Sequence, residues 1–170
     1  MTKNTFKNAD EAFKYFFREI LRSGVEFDDT QALFNVGFTI ENPLDNHIVD
    51  KGSIVPRNWK HNYAHAEWMW YLTGDPKVST LGEIYGKVPE IWKRMANIRG
   101  QVNSNYGYQW ERNDQLDSII THLRANPKSR RAAISIYDGK ELHKYANDTP
   151  CTYAVQFTIL DNKLNMCVTM

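Results

Sequence analysis

The chain has 170 residues, a formal net charge of +1 and 42% hydrophobic residues. This length suits one domain over residues 1–170 with a sizeable core, and the near-zero charge gives no general field that would attract nucleic acid. No apolar run approaches membrane length and no secretory h-region follows Met1, so we expect a cytoplasmic protein with reduced cysteines that binds no membrane.

The first predicted elements are two helices with a strand between them. Apolar residues recur at helical spacing after Asp10 and Gly24 follows, which predicts an amphipathic helix capped by Asp10 and ended by Gly24. Residues 33–40 alternate like a strand and are followed by Asn42-Pro43. Residues 63–72 carry large apolar groups on nearly all sides, which predicts a central buried helix.

Short elements follow. Residues 89–95 predict a helix with proline in its first turn, and residues 98–110 predict a loop rich in glycine, asparagine and aromatic residues. A helix over residues 114–125 and a strand over residues 132–137 come next.

The last predicted element is a β-hairpin. Residues 153–160 and 163–170 alternate in polarity around Asp161-Asn162, a pair that tolerates the left-handed geometry of a tight turn. The second strand should bury one face, yet the sequence stops at Met170 with neither a turn residue nor a charge. We therefore expect the N-terminal part of a longer protein, truncated at its C-terminal end.

Cys151 is the candidate nucleophile. It follows Pro150, whose ring fixes the backbone and removes a donor, at the mouth of a predicted strand. A reactive thiolate needs a base or positive charge nearby, and Arg130 and Arg131 could supply that charge or grip a phosphate. The alternatives are a small buried hydrophobe for Cys151 and a solvated basic turn for the arginines. Cys167 lies in mid-strand and is predicted to be structural.

Glu67 stands in an otherwise apolar predicted helix. A buried lone carboxylate is costly unless it is paired or functional, and burial raises its pKa toward the range useful for proton transfer. The alternative is a salt bridge to an arginine. His61 and His65 are one helical turn apart, but no third ligand is spaced to complete a site, so we expect no metal.

Residues 103–110 combine amides, a hydroxyl, a glycine and three aromatic rings. Such a segment suits stacking on a flat heterocycle with hydrogen bonds around its rim, and Trp92 could add a further ring face. Aromatic rings near arginines also suit single-stranded RNA, an alternative that the net charge disfavours.

Five segments stand in a distinctive order: residues 67–75, 91–92, 105–110, 126–131, and Pro150-Cys151 with Gln156-Phe157. Together they resemble the thymidylate synthase and deoxycytidylate hydroxymethylase superfamily. The resemblance implies an α/β fold with a large mixed β-sheet and helices packed on one face. It also implies a homodimer whose two active sites are shared between the subunits.

The resemblance further implies transfer of a one-carbon unit from methylenetetrahydrofolate to carbon 5 of a pyrimidine deoxynucleoside monophosphate, most commonly methylation of dUMP. Cys151 would add to carbon 6, Glu67 would organise water and proton transfer, and Tyr106 would take part in proton removal from carbon 5. Trp92, with Glu67, would lie near the folate. The implied substrate-binding residues are Gln156, Arg130 and Arg131, of which the arginines would reach the phosphate of the neighbouring subunit's substrate.

Some features depart from the synthase pattern. Thr152 follows the candidate nucleophile where synthases nearly always carry histidine, which favours phage-type dCMP or dUMP hydroxymethylases. Residues 27–31 are acidic where the family carries a phosphate-binding Arg or Lys, so that contact would move to Lys51 or Arg57. The family's Arg-Ser-x-Asp and His-x-Tyr segments would lie beyond Met170. An inactive nucleotide-binding or dimerising remnant is therefore a further alternative.

Overall fold

The computed structural model describes residues 4–48 and 60–170, which fall into two compact units divided after residue 60. The single domain over residues 1–170 stays a prediction. Lys51 and Arg57, the alternative phosphate contacts, lie outside the described residues. Within the described ranges, no helix combines the length and apolar character needed to cross a membrane.

Helix α1 (Ala9–Ser23) is the main element of the first unit. Its N-cap is Asn8, whose side-chain oxygen accepts a hydrogen bond from the Glu11 backbone N–H at 3.0 Å. The predicted cap at Asp10 is wrong, because Asp10 already lies in the first turn, while Asn8 has the extended backbone that a capping residue needs. Gly24 ends the helix as predicted.

The described residues of the first unit also form four short strands: β1 (Thr5–Phe6), β2 (Val25–Phe27), β3 (Thr30–Ala32) and β4 (Thr39–Ile40). Strands β2 and β3 form an antiparallel hairpin, and β1 pairs in parallel with β4. The strand predicted over residues 33–40 is therefore wrong for most of its length. Asn35 interrupts it, because its φ of 56° lies in the left-handed region, which asparagine tolerates. The acidic residues 27–31 lie at the tip of this hairpin, where Asp28 and Asp29 form the turn between β2 and β3.

The second unit begins with five helices: α2 (His61–Leu72), α3 (Val78–Tyr85), α4 (Glu90–Met95), α5 (Tyr106–Glu111) and α6 (Gln115–Ala125). Helices α2, α4 and α6 confirm the corresponding predictions. Helix α3 was not predicted, and α5 replaces the end of the loop expected over residues 98–110. The signal for α5 is Asn105, whose side chain caps the helix by accepting the Tyr108 backbone N–H at 2.8 Å.

Helix α2 is less buried than predicted. Ala66 and Trp70 are its buried residues, and they share a core cluster with α3 and with Trp92 of α4. On the other side of the helix Trp68 is 59% exposed. The expectation of a helix covered on all sides is therefore wrong for this chain.

Three antiparallel strands form the sheet of the second unit, in the order β5 (Ala133–Ser135), β6 (Ala154–Leu160) and β7 (Lys163–Thr169). The predicted hairpin is confirmed, since Asp161 and Asn162 turn with left-handed φ values of 49° and 59°. Strand β5 is shorter than predicted, because the Ile136 and Tyr137 N–H groups both donate to the Tyr153 carbonyl instead of continuing a regular ladder.

Helix α6 covers one face of this sheet. The core beneath it consists of Ile119, Leu123, Ala132, Ile134, Ile136, Val155 and Phe157. Leu164, Met166 and Val168 of β7 lie on the same face by their pairing with β6, but they are 63%, 55% and 40% exposed. The last strand therefore does not bury a face in this chain, contrary to expectation. The mixed α/β class, with helices on one face of the sheet, is confirmed. In the described residues the strands form two sheets of two strands and one of three, and not the single large mixed sheet that was expected.

Candidate active site

Cys151 and Tyr106 are in direct contact. Cys151 lies in the loop before β6, and its backbone N–H donates to the Tyr106 hydroxyl at 3.0 Å. The Thr152 backbone N–H lies 3.4 Å from the same oxygen. Cys151 is exposed, so its alternative interpretation as a small buried hydrophobe is wrong. Cys167 is also exposed, which removes the burial expected of a structural cysteine.

Hydrogen bonds tie the segment before α5 to the loop before Cys151. Asp148 is only 7% exposed and accepts both the backbone N–H of Ser104, at 2.7 Å, and its hydroxyl, at 2.6 Å. The Asn103 side-chain amide donates to the carbonyls of Lys144 and Asp148, both at 2.8 Å. These bonds hold the two catalytic candidates together. The sequence carried no signal for Asp148.

Glu67 points into a cluster of aromatic hydroxyls and rings. The Tyr63 hydroxyl donates to Glu67 Oε1 at 2.8 Å and accepts from Trp92 Nε1 at 2.7 Å. The Tyr71 hydroxyl interacts with the same carboxylate. Burial raises the pKa of Glu67 above its ordinary value, and the hydrogen bonds from the two tyrosines oppose that rise. Within the described ranges Glu67 has no ion pair, so the salt bridge to an arginine is wrong there.

Tyr71 connects this cluster to Tyr106. The two rings meet edge to face, with centroids 5.8 Å apart. Contacts therefore run without a break from Trp92 through Glu67 to Tyr106 and Cys151, four of the seven predicted site residues. Tyr63 and Tyr71 were missed, although their spacing of four residues on either side of Glu67 places all three on one helix face.

Gly107 allows α5 to lie against the end of α2. A Cβ atom at this position would stand 1.6 Å from the Tyr71 carbonyl oxygen and 2.6 Å from the carbonyl carbon. Only glycine permits this approach of the two backbones, which brings Tyr106 beside Tyr71.

Arg130 and Arg131 lie at the opposite end of the sheet from Cys151. The register of β5 and β6 pairs Ala133 with Gln156 and Ser135 with Ala154, so Arg131 and Cys151 lie beyond opposite ends of this pairing. At about 3.3 Å per residue, the two positions are separated by roughly 20 Å along the sheet. The sequence had suggested that these guanidinium groups activate the thiol. They are too distant from the thiol of the same chain to do so.

Gln156 lies near the arginines and away from Cys151. Its side-chain amide donates to the Arg130 carbonyl at 3.3 Å. Both arginine side chains are exposed, and neither forms an ion pair in the part of the chain that the structure describes. Arg131 lines an open cavity of about 360 Å³ together with His122, whose Nε2 is 2.5 Å from Ser129 Oγ.

As for metals, the described ranges hold no group of three or more His, Cys, Asp or Glu side chains suited to binding one.

Comparison with known proteins identifies related sequences of two named activities. The family model described as thymidylate synthase matches residues 11–170. Deoxycytidylate 5-hydroxymethyltransferase of Enterobacteria phage T4 is 35% identical over 116 residues, which are 64% of this chain and 46% of that protein. Thymidylate synthase of Buchnera aphidicola subsp. Baizongia pistaciae is 33% identical over 107 residues, which are 58% of this chain and 39% of that protein. The chain thus spans less than half the length of these curated relatives.

Solved structures share the fold. Thermostable thymidylate synthase A from Bacillus subtilis superposes with a TM-score of 0.63 at 22% identity, covering 95% of this chain and 63% of that one. Thymidylate synthase from T4 phage superposes with a TM-score of 0.52 at 25% identity, covering 65% of this chain and 43% of that one. Since the family model extends over almost the whole sequence, the chain belongs to the thymidylate synthase family.

Proposed function

We propose that this chain carries the nucleophile of an enzyme that transfers a one-carbon unit to carbon 5 of a pyrimidine deoxynucleoside monophosphate. The observation that supports this most directly is the exposed Cys151 held on Tyr106, in unbroken contact with Glu67 and Trp92. A nucleophile beside a phenol and a carboxyl group of raised pKa has the groups that covalent addition and proton transfer require.

Each residue would have a distinct role. The Cys151 thiolate would add to carbon 6 of the base, which makes carbon 5 nucleophilic. Glu67, whose pKa burial raises, would hold a proton nearer to neutral pH than an ordinary glutamate and pass it through water at the base. Tyr106 would take part in removing the proton from carbon 5. Methylenetetrahydrofolate would supply the one-carbon unit, and Trp92 with Glu67 would form the wall against which it binds.

The distance between Cys151 and the arginines supports sites shared in a homodimer. Arg130 and Arg131 are exposed and lie at the far end of the sheet from the nucleophile of their own chain. In a symmetric dimer they would reach the phosphate of the substrate bound in the partner's site. Gln156 would be a further substrate-binding residue. The cytoplasm stays the predicted location.

Methylation of dUMP to dTMP is the leading reaction, and hydroxymethylation of dCMP or dUMP is the second candidate. Two observations favour the second. Thr152 replaces the histidine that follows the nucleophile in most synthases, and a relative at 35% identity is named deoxycytidylate 5-hydroxymethyltransferase.

The test uses the protein that carries this chain at its full length. It is incubated with methylenetetrahydrofolate and either dUMP or dCMP, and products are separated by chromatography. Formation of the covalent adduct with 5-fluoro-dUMP is measured by mass spectrometry. Cys151→Ala should abolish both product and adduct, because it removes the sulfur that adds to carbon 6. Cys167→Ala, the other exposed cysteine, should retain both and is the matched control.

The products distinguish the candidates. Thymidylate from dUMP supports the synthase, and a 5-hydroxymethyl nucleotide supports the hydroxymethylase. Turnover or adduct in Cys151→Ala would contradict the assignment of the nucleophile. Nucleotide binding without product or adduct in the unmodified protein would favour the inactive remnant.

A further inference from the structure

Tyr63 joins two candidate catalytic side chains that come from different helices. Its hydroxyl accepts from Trp92 Nε1 of α4 at 2.7 Å and donates to Glu67 Oε1 of α2 at 2.8 Å. Its ring packs edge-on against Tyr85 of α3, with centroids 5.4 Å apart. The ring is thus held by α3, and the hydroxyl is held by two hydrogen bonds.

Chemistry fixes the direction of these bonds. An indole N–H can only donate, so the Tyr63 oxygen must accept it, and the single proton of Tyr63 is left for the carboxyl oxygen. Burial is the largest cause that raises the pKa of Tyr63 above its ordinary value, so the hydroxyl keeps its proton at neutral pH. The order of donation is therefore Trp92 to Tyr63 to Glu67.

We propose that Tyr63 is a positioning residue that couples the charge of the Glu67 carboxyl group to the hydrogen bond of the Trp92 indole. A carboxylate is a stronger acceptor than a carboxylic acid, so ionisation of Glu67 strengthens the bond from Tyr63. Hydrogen bonds in a chain polarise one another, so the bond from Trp92 to Tyr63 strengthens as well. The catalytic consequence of this coupling rests on the function proposed above. The Glu67 carboxylate, which handles the proton, and the Trp92 ring, which lies near the folate, would respond to each other.

Several other titratable groups face this cluster. Tyr71 interacts with the Glu67 carboxylate from α2 itself, Tyr85 faces Tyr63 from α3, and Tyr106 packs on Tyr71 from α5. On α4 the charged side chains are Glu90, Lys93 and Arg94, all exposed, with Glu90 and Lys93 paired at 2.6 Å. Helix α2 also carries two exposed histidines, His61 and His65. A Glu67→Gln variant separates their effect from that of Glu67.

The test follows the indole N–H signals of the five tryptophans by NMR in ¹⁵N-labelled full-length protein as the pH is raised. Trp92→Phe identifies the Trp92 signal. In the unmodified protein this signal should shift in one step as Glu67 ionises. The step should disappear in Glu67→Gln and in Tyr63→Phe, which keeps the ring but lacks the bridging hydroxyl. Tyr85→Phe is the matched control: it removes a neighbouring hydroxyl that forms no hydrogen bond within the described ranges, and it should keep the step.

A step that persists in Tyr63→Phe would overturn the proposal, as would a Trp92 signal that never responds to pH. A reciprocal measurement applies even if Tyr63→Phe fails to fold. Trp92→Phe removes the donor to Tyr63, so Tyr63 becomes a weaker donor and the ¹³C-detected titration of the Glu67 carboxyl group should move to higher pH. An unchanged Glu67 titration would equally contradict the coupling.

Turnover gives a separate readout. Tyr63→Phe should lower kcat by about tenfold, as expected for the loss of one hydrogen bond to a charged group, and Tyr85→Phe should not. The limb of the kcat profile that Glu67 governs should also move to higher pH in Tyr63→Phe, because Glu67 loses a donor that favours its charged form. If the unmodified protein does not turn over substrate, the proposed function fails, while the NMR titrations still decide the coupling.

Discussion

Glu67 illustrates at the scale of one residue how opposing effects set the charge of a carboxyl group. Burial penalises the carboxylate, whereas the hydroxyls of Tyr63 and Tyr71 stabilise it. Burial is the larger effect, so the pKa of Glu67 in the folded chain is raised above that in the unfolded chain. Folding therefore favours the protonated form.

This environment predicts how stability depends on pH. At low pH Glu67 is protonated in both the folded and the unfolded chain, so its burial carries no penalty for a buried charge. As the pH rises through the ordinary pKa of glutamate toward the raised one, the unfolded chain ionises first, so the free energy of unfolding falls. Glu67→Gln should lack this fall and gain stability relative to the unmodified protein as the pH rises. Urea unfolding at a series of pH values measures the difference.

The control for this prediction is Glu83→Gln, which changes an exposed glutamate on α3. Its stability difference from the unmodified protein should not follow the same pH course. If the difference in the free energy of unfolding between Glu67→Gln and the unmodified protein is constant with pH, burial does not raise the pKa of Glu67.

The sequence named some residues of the candidate site and missed others. Cys151, Glu67, Trp92 and Tyr106 were identified because their residue types and order carry a chemical pattern. Tyr63 and Tyr71 followed the helical spacing around Glu67 and could have been found from it. Asp148 could not, because its partner Ser104 lies 44 positions earlier and only the tertiary fold brings them together.

The contact between α5 and α2 gives a prediction at the scale of the element. Gly107→Ala would place a Cβ atom 1.6 Å from a backbone oxygen, which cannot move away as a flexible side chain could. We expect this variant to lose about 1–3 kcal/mol of stability or more, and to shift Tyr106 away from Cys151. Thermal or urea unfolding measures the loss.

Gly139→Ala is the matched control, because a Cβ atom there meets nothing within 4 Å and the backbone is not left-handed. Its effect on stability should stay within about 1 kcal/mol. Equal stability of the Gly107→Ala and unmodified proteins would show that the backbones are not in close contact.

Periodicity predicted the elements whose pattern is regular and failed where one residue decides the backbone. Helices α1, α2 and α6 and the β6–β7 hairpin all follow strong periodic signals. Asn35 breaks an alternating run by adopting a positive φ. Asn105 starts α5 inside a segment whose asparagines and glycine suggested a loop, because its side chain caps the helix. In both cases the asparagine is compatible with more than one local structure, and the surrounding chain determines which one forms.

At the scale of the whole molecule, the location of the arginines predicts that two chains cooperate. Cys151→Ala protein and Arg130→Ala/Arg131→Ala protein should each be inactive alone. A mixed dimer of the two would have one intact site, so an equal mixture that exchanges subunits should recover about a quarter of the unmodified turnover. Turnover assays and light scattering on the mixture measure this recovery.

The control mixture contains Cys151→Ala and Cys151→Ser proteins, which share the same defect and should not complement each other. An inactive mixture of the cysteine and arginine variants, or an unmodified protein that is active as a monomer, would contradict shared sites.

The fold class itself came from the ordered segments and their resemblance to a family, since periodicity alone does not specify how strands and helices are arranged.

The link between Tyr106 and the Cys151 loop runs through main-chain N–H groups, at 3.0 Å and 3.4 Å. Every amino acid except proline supplies such a group, so the side chains at positions 151 and 152 can be exchanged without releasing the phenol. The residue after the candidate nucleophile, threonine here, can therefore be replaced by any residue but proline while the N–H contact to Tyr106 is kept. Selection can thus act on the side chain at position 152 without cost to the contact that holds Tyr106.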